Sequence, residues 1–255
     1  MELVDTHCHL QFPKLADDLD QVITGARAAG VSRMICVGTS LEDSRQAIDF
    51  AAKFDNVWAA VGAHPHDGKE FDYRAGSQVL AELAARPKVV AVGEIGLDFY
   101  KDYSPRDEQE ELFRLQIEAG LPSGLLFIFH VRDAWKDFWR IMEDYGDVKA
   151  VVHSFTAGQK QLDKVLDKGW YVGLNGIMTF TKDEAQLQAA KNLPLERLLL
   201  ETDAPFLTPE PFRDDVCEPK HVLNTAEFLA TLRDEKLDEL ARVTTDNAVR
   251  LFNLR

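Results

Sequence analysis

Near its start the chain reads Thr6-His7-Cys8-His9. Side chains two apart on a β-strand share a face, so His7 and His9 can reach the same ion. Further along, His64, His66, His130 and His153 each stand just past a short apolar run, and so do Glu94 and Asp203. Neutral imidazoles and carboxylates hold zinc, manganese or iron, and carboxylate-rich sites also suit magnesium. A single His-x-His pair is a weak metal signal, and a lone histidine is more often a satisfied structural residue. Joined by two more strand-end histidines, a glutamate and an aspartate, the pair becomes a site. Six such ligands exceed the three or four that one catalytic zinc takes. They predict two divalent ions (Mg²⁺, Mn²⁺ or Zn²⁺) about 3.5–4 Å apart, sharing a carboxylate.

The elements that must position these residues recur along the chain. Short β-rich runs are expected at Leu3–Asp5, Arg33–Val37, Val57–Val61 and Val89–Val92, then at Leu125–Phe129, Lys149–Val152, Trp170–Leu174 and Arg197–Leu200. Amphipathic stretches separate them. One starts at Leu41 behind Ser40, a suitable N-cap. Another starts at Ala134, after Asp133, which is expected to cap it, and stops by Gly146. Eight strands alternating with helices predict an α/β protein, a single (β/α)8 TIM barrel over residues 1–255. An open doubly wound sheet is the rival, but its glycine-rich first turn is missing. Six of the seven histidines follow an expected strand, at the end where such a barrel builds its active site. Only His221 does not.

Composition narrows the class. Of 255 residues, 45% are hydrophobic and 28% charged, which excludes a disordered chain. Cys8, Cys36 and Cys217 are too few, and odd in number, for a disulfide framework. No apolar stretch approaches the roughly 18–20 residues of a membrane span. The opening Met1-Glu2-Leu3-Val4-Asp5 lacks a basic n-region, so a cytoplasmic protein without membrane contact is expected. Forty-three acidic residues against 29 basic ones give a net charge of −14. That field repels polyanions, so any nucleic-acid substrate needs bound cations or a local basic patch.

The ordered motifs resemble a known family. His7-Cys8-His9, Gly62-Ala63-His64-Pro65-His66, Gly93-Glu94-Ile95-Gly96-Leu97-Asp98, His130-Val131-Arg132-Asp133-Ala134, His153-Ser154-Phe155 and Glu201-Thr202-Asp203-Ala204-Pro205 stand in the order found in TatD-like metal-dependent deoxyribonucleases. These are relatives of the amidohydrolases. The resemblance spans essentially the whole chain. It implies divalent-metal-dependent hydrolysis of DNA, single-stranded or at ends, with 3′→5′ exonuclease character. It further implies that His7, His9, Glu94 and Asp203 hold one ion, that Glu94, His130 and His153 hold the other, and that Glu94 bridges them. A related amidohydrolase branch bridges its metals with a carboxylated lysine at the end of the fourth strand; here that place is Glu94.

Roles for the remaining polar residues follow. Asp203 either ligates a metal or takes the proton of the attacking water. His64 is expected to face the incoming phosphate. Arg132 and Arg213 are expected to bind substrate, or in the case of Arg132 to orient a carboxylate. Glu201 and His66 are expected behind the ligands, each with a structural alternative. Phe99, Tyr100 and Tyr103 offer rings for a base to stack on, or else an apolar lid. Cys8 should point away from its neighbours as a buried thiol.

The chain departs from the family in two places. Pro122 comes early, so the helix before the fifth strand should stop short. After the eighth strand, where the family carries a basic loop, this chain has Phe212-Arg213-Asp214-Asp215-Val216-Cys217-Glu218. That acidic loop suggests a smaller ester or amide substrate as the alternative, since metal-activated water also attacks carbonyls. A metal-bound scaffold without activity is the third reading, and inertness toward every ester would favour it.

Overall fold

The computed structural model describes residues 1–101 and 103–255. Among them, eight strands alternate with helices: β1 (Leu3–Cys8), β2 (Val31–Val37), β3 (Val57–Val61), β4 (Val89–Asp98), β5 (Leu126–Arg132), β6 (Ala150–Val152), β7 (Tyr171–Leu174) and β8 (Leu198–Leu200). They follow one another in chain order in a single sheet. This is the (β/α)8 arrangement expected from the alternation of apolar runs. The chain forms two compact units, Val37–His153 and Met1–Cys36 with Ser154–Arg255.

In the unit Val37–His153, β3 to β6 pair in parallel, with Ala60 opposite Ala91, Gly96 opposite His130 and Phe129 opposite Val152. The helix Leu41–Lys53 begins as expected, with the Ser40 hydroxyl accepting the Asp43 N–H at 3.1 Å. The helix Arg106–Gly120 ends before Pro122, which sits in a short 3₁₀ turn. Phe113, Phe129 and Phe138 are fully buried against one another, with ring centroids 5.3–5.7 Å apart. Each such ring contributes about 1.5–3 kcal/mol by leaving water. Trp135 and Trp139 stack at 6.0 Å on the following helix.

In the other unit β1 pairs with β2 and β7 with β8, all in parallel. The last strand returns to the first, as a barrel requires. The Thr6 hydroxyl donates to the Leu200 carbonyl at 3.0 Å, and Cys8 and Ala204 form a parallel bridge. Cys8, Cys36 and Cys217 are buried free thiols, and Cys8 donates to the Ile35 carbonyl at 3.4 Å.

Three strands run further than their apolar runs indicate. β1 extends through His7 to Cys8, β4 through Glu94 to Asp98, and β5 through His130 to Arg132. Hydrophobicity ends where the site begins, whereas backbone pairing continues across irregular register between Asp5 and Cys8 and between Val92 and Ile95. Asp133 does not cap the next helix as expected. It lies in the left-handed region at φ 53°, Ala134 takes the N-cap position without a side-chain bond, and the helix spans Trp135–Met142. The chain turns there through backbone conformation alone, and the helix stops four residues before Gly146.

Candidate metal centre

In the unit Val37–His153 the C-terminal ends of β3 to β6 bring four side chains to one point. Glu94 projects from β4, His130 from β5, His153 follows β6, and His64 follows β3. Glu94 Oε1 lies 2.6 Å from His130 Nδ1, 2.7 Å from His153 Nε2 and 3.6 Å from His64 Nε2. Backbone geometry makes the approach possible. Gly96 holds φ 146°, and a Cβ there would stand 2.0 Å from the His130 carbonyl oxygen, so only glycine lets β4 pass His130. His64 is turned by its own loop: its N–H donates to the Thr39 carbonyl at 2.7 Å, and its Nδ1 accepts the His66 N–H at 3.1 Å. Its Nε2 is thereby left on the Glu94 side.

The charges within this group are strongly biased. Burial opposes the Glu94 carboxylate, yet the imidazoles of His153, His64 and His130 hold it well below the usual range. Burial pushes His64 well down, to the neutral form. For His130 burial also works against charge, but the hydrogen bonds to Asp98 and Glu94 outweigh it and raise the ring's pKa. An edge-to-face row of rings leads from the surface inward: Tyr103 to His66 at 4.8 Å, His66 to His64 at 4.2 Å, and His64 to His130 at 4.6 Å. Tyr103 is 61% exposed.

The unit Met1–Cys36 with Ser154–Arg255 carries a second group. His7 and His9 are buried, with ring centroids 5.1 Å apart. Asp203 Oδ1 lies 3.3 Å from His9 Nε2 and 3.7 Å from His7 Nε2. Asp203 occupies the left-handed region at φ 63°, and its N–H donates to the His7 carbonyl at 2.8 Å. A non-glycine residue in that region stores strain of order 1–3 kcal/mol, which clusters at functional sites. His9 stacks on Phe12 at 4.9 Å, which fixes the plane of its ring.

Both donor sets suit divalent metal. Imidazole nitrogen and carboxylate oxygen are the ligands such ions take. Glu94 Oε1, His130 Nδ1 and His153 Nε2 lie within 3.4 Å of one another, so one ion can be shared among them once they move slightly apart to admit it.

The other expected residues fall as follows. Glu201 is buried, and its Oε1 accepts the N–H of Ser154, the residue after His153, at 2.5 Å. Gly173 makes the room, because a Cβ there would meet Glu201 Oε2 at 2.1 Å. His66 Nε2 lies 3.0 Å from Asp98 Oδ2, and its ring sits 4.2 Å from that of His64. Arg132 lies with its guanidinium 3.9 Å from the centroid of the exposed Tyr100 ring. Arg213 lies 3.7 Å over the Phe180 ring and donates to the Thr208 carbonyl, holding its own loop. His221 stacks on Phe212 at 5.4 Å, and its Nδ1 accepts the Glu218 N–H. It is a structural residue.

Two buried carboxylates escape a reading by histidine spacing. Asp5 lies on β1 two residues before His7, where alternation puts it on the same face. Asp98 ends β4 four residues after Glu94. Both positions alternate correctly with a ligand, and that signal was available.

A family-wide profile described as TatD related DNase matches residues 4–253. The chain is 38% identical over 260 residues to the uncharacterized metal-dependent hydrolase YcfH of Escherichia coli K12, covering all of this chain and 97% of that protein. It is 32% identical to the 3′-5′ ssDNA/RNA exonuclease TatD of Salmonella typhimurium, across 99% of both. Among solved structures, the TatD homologue YjjV of Escherichia coli superposes with a TM-score of 0.92 at 30% identity, across 98% of both chains.

Proposed function

Because the chain belongs to the TatD related DNase family and is a metal-dependent hydrolase of that family, we propose that it cleaves phosphodiester bonds of single-stranded DNA or DNA ends, from the 3′ side, with two divalent ions. The observation that carries this reading is the convergence of His130 and His153 on one oxygen of Glu94. In the proposal His130, His153 and Glu94 hold one ion, and His7, His9 and Asp203 hold the other. Among the described residues no helix is long and apolar enough to cross a membrane.

When bound, the ions supply an acidified water and neutralise the charge of the phosphoryl group. The chain's own residues do the rest. Asp203 places Oδ1 beside both histidines as a ligand, and the same carboxylate accepts the proton of the attacking water. His64, neutral and oriented by its bonds to Thr39 and His66, presents Nε2 to a phosphoryl oxygen. Arg132, steadied by the Tyr100 ring, binds the phosphate next along the strand, and Arg213 offers its remaining N–H groups to a further one. Glu201 keeps His153 in place through Ser154, and His66 stands between Tyr103 and His64 in the row of rings.

The test is cleavage of 3′-labelled single-stranded DNA in the presence of Mg²⁺, Mn²⁺ or Zn²⁺, with Glu94→Ala as control. Stepwise shortening that the variant lacks supports the exonuclease. A protein carrying two ions that leaves DNA intact shifts the reading to a smaller ester or amide. The net charge of −14 and the Asp214-Asp215 pair favour that alternative. Asp203→Asn separates its two roles: metal retained with turnover lost identifies the base.

A further inference from the structure

Asp98 closes β4, is 1% exposed, and has its carboxylate fully engaged. Oδ1 accepts the N–H groups of Tyr100 at 2.9 Å and Lys101 at 3.2 Å. Oδ2 lies 3.0 Å from His66 Nε2 and 3.2 Å from His130 Nε2. Its backbone is clamped by the buried Gln109, whose Oε1 accepts the Asp98 N–H at 2.8 Å and whose Nε2 donates to the Asp98 carbonyl at 3.0 Å. A carboxylate offers about four acceptor sites, and here each meets a donor.

This arrangement dictates where the protons of two imidazoles lie. An ionised carboxylate only accepts, so His66 and His130 must each present an Nε2–H to it. In a neutral His130 the lone pair then sits on Nδ1, which faces Glu94 Oε1 at 2.6 Å. Two acceptors that close need a positive centre between them, a proton on Nδ1 in the metal-free protein or a divalent ion in the loaded one. We infer that Asp98 is a positioning residue that selects the His130 tautomer able to bind a divalent ion through Nδ1, and that its same oxygen fixes His66. The inference rests on the metal reading of Glu94, His130 and His153. Asp98 with His64 and His66 also brings ligand atoms within 4.8 Å of one another, so a third ion there is the rival. Against it, Oδ2 already receives two N–H groups, and His64 directs Nε2 to the Glu94 side.

The test compares Asp98→Asn and Asp98→Ala with the wild type by zinc affinity, using a competing chromophoric chelator, and by ¹⁵N-histidine NMR of the zinc-loaded protein. In the wild type His130 shows a protonated Nε2. In Asp98→Asn the amide presents its own hydrogens to the imidazoles, Nε2 becomes the acceptor, and the proton moves to Nδ1, where the ion must bind. Affinity at this site is expected to fall about 10- to 100-fold, and further than in Asp98→Ala, which removes the partner without imposing the wrong tautomer. A merely structural role predicts the opposite order, with alanine worse. Wild-type affinity in a folded Asp98→Asn overturns the inference. So does a wild-type His130 without an Nε2 proton, a result that needs no variant. A third equivalent of zinc lost in both variants establishes the rival. If the wild type takes up no metal, the metal reading itself falls, and this inference falls with it.

Discussion

The Asp5 carboxylate joins the first strand to the segment after the last. Its Oδ1 accepts the Thr202 N–H at 2.9 Å and its Oδ2 accepts the Thr202 hydroxyl at 2.6 Å, across 197 positions of sequence. Oδ1 also accepts the His7 N–H at 3.3 Å. One buried side chain therefore sets the backbone of His7 and of Thr202, the neighbour of Asp203. Thr202 lies beyond the end of β8 and His7 in the irregular end of β1, so this side chain ties two segments that regular pairing leaves apart.

Burial pushes Asp5 from its ordinary value of 3.8 up to about 8, against the opposing hydrogen bonds from Thr202 and His7. A carboxyl raised on folding stabilises the fold fully below its unfolded pKa, and that contribution is lost as pH rises through the folded one. The urea midpoint of chelator-treated protein is expected to decline between about pH 4 and 8. Asp5→Asn should flatten this decline, as measured by denaturation at several pH values. An unchanged slope in the variant removes Asp5 as its source.

Replacing Glu94 with alanine takes away the oxygen on which His130 and His153 converge. Turnover should fall about a thousandfold or more, near 4 kcal/mol of transition-state stabilisation. Metal content, counted by mass spectrometry, distinguishes the proposals for this residue: one ion lost means a terminal ligand, two lost means a bridge. Chelation of the wild type should lower its melting temperature, and restored ion at a hundred times Kd should recover about 2.7 kcal/mol.

Arg132 ends β5 and rests on the exposed Tyr100 ring. Arg132→Ala is expected to raise KM for single-stranded DNA about 5- to 10-fold with kcat nearly intact. The dependence of log KM on log salt should weaken by about 0.7, the share of one single-strand phosphate. Tyr100→Leu should give a smaller effect in the same direction. A fall in kcat instead would place Arg132 against the reacting phosphate.

Gly173→Ala should displace Glu201 and release Ser154, costing about 2 kcal/mol through crowding and a broken buried hydrogen bond. Combined with Glu201→Ala, the glycine substitution should cost almost nothing more, because the clash is then gone. Urea denaturation of the two single variants and the double variant measures that coupling. Additive losses contradict it.

The strand count and the alternation were legible because each depends on local pattern. Val57–Val61 reads as a strand and is one, while Leu41–Lys53 shows both its cap and its apolar face. Strand ends were less legible. Past Val92 and Phe129 the residues turn polar, and nothing local indicates that pairing continues to Asp98 and Arg132. Asp133 resembles a cap in its residue type, yet its left-handed backbone keeps it from that role.

By itself the sequence determined which residue types stand at strand ends, and hence that imidazoles and carboxylates gather where such a fold does chemistry. Tertiary structure alone decided which atoms face one another. It turned His130 Nδ1 toward Glu94 and Nε2 toward Asp98, gave Asp5 to Thr202, and laid Arg213 on Phe180. The physical reason is range. Strand and helix follow from neighbours a few residues apart, whereas hydrogen-bond partners are selected by side-chain directions over separations near 3 Å, among residues the chain brings together only after it has folded.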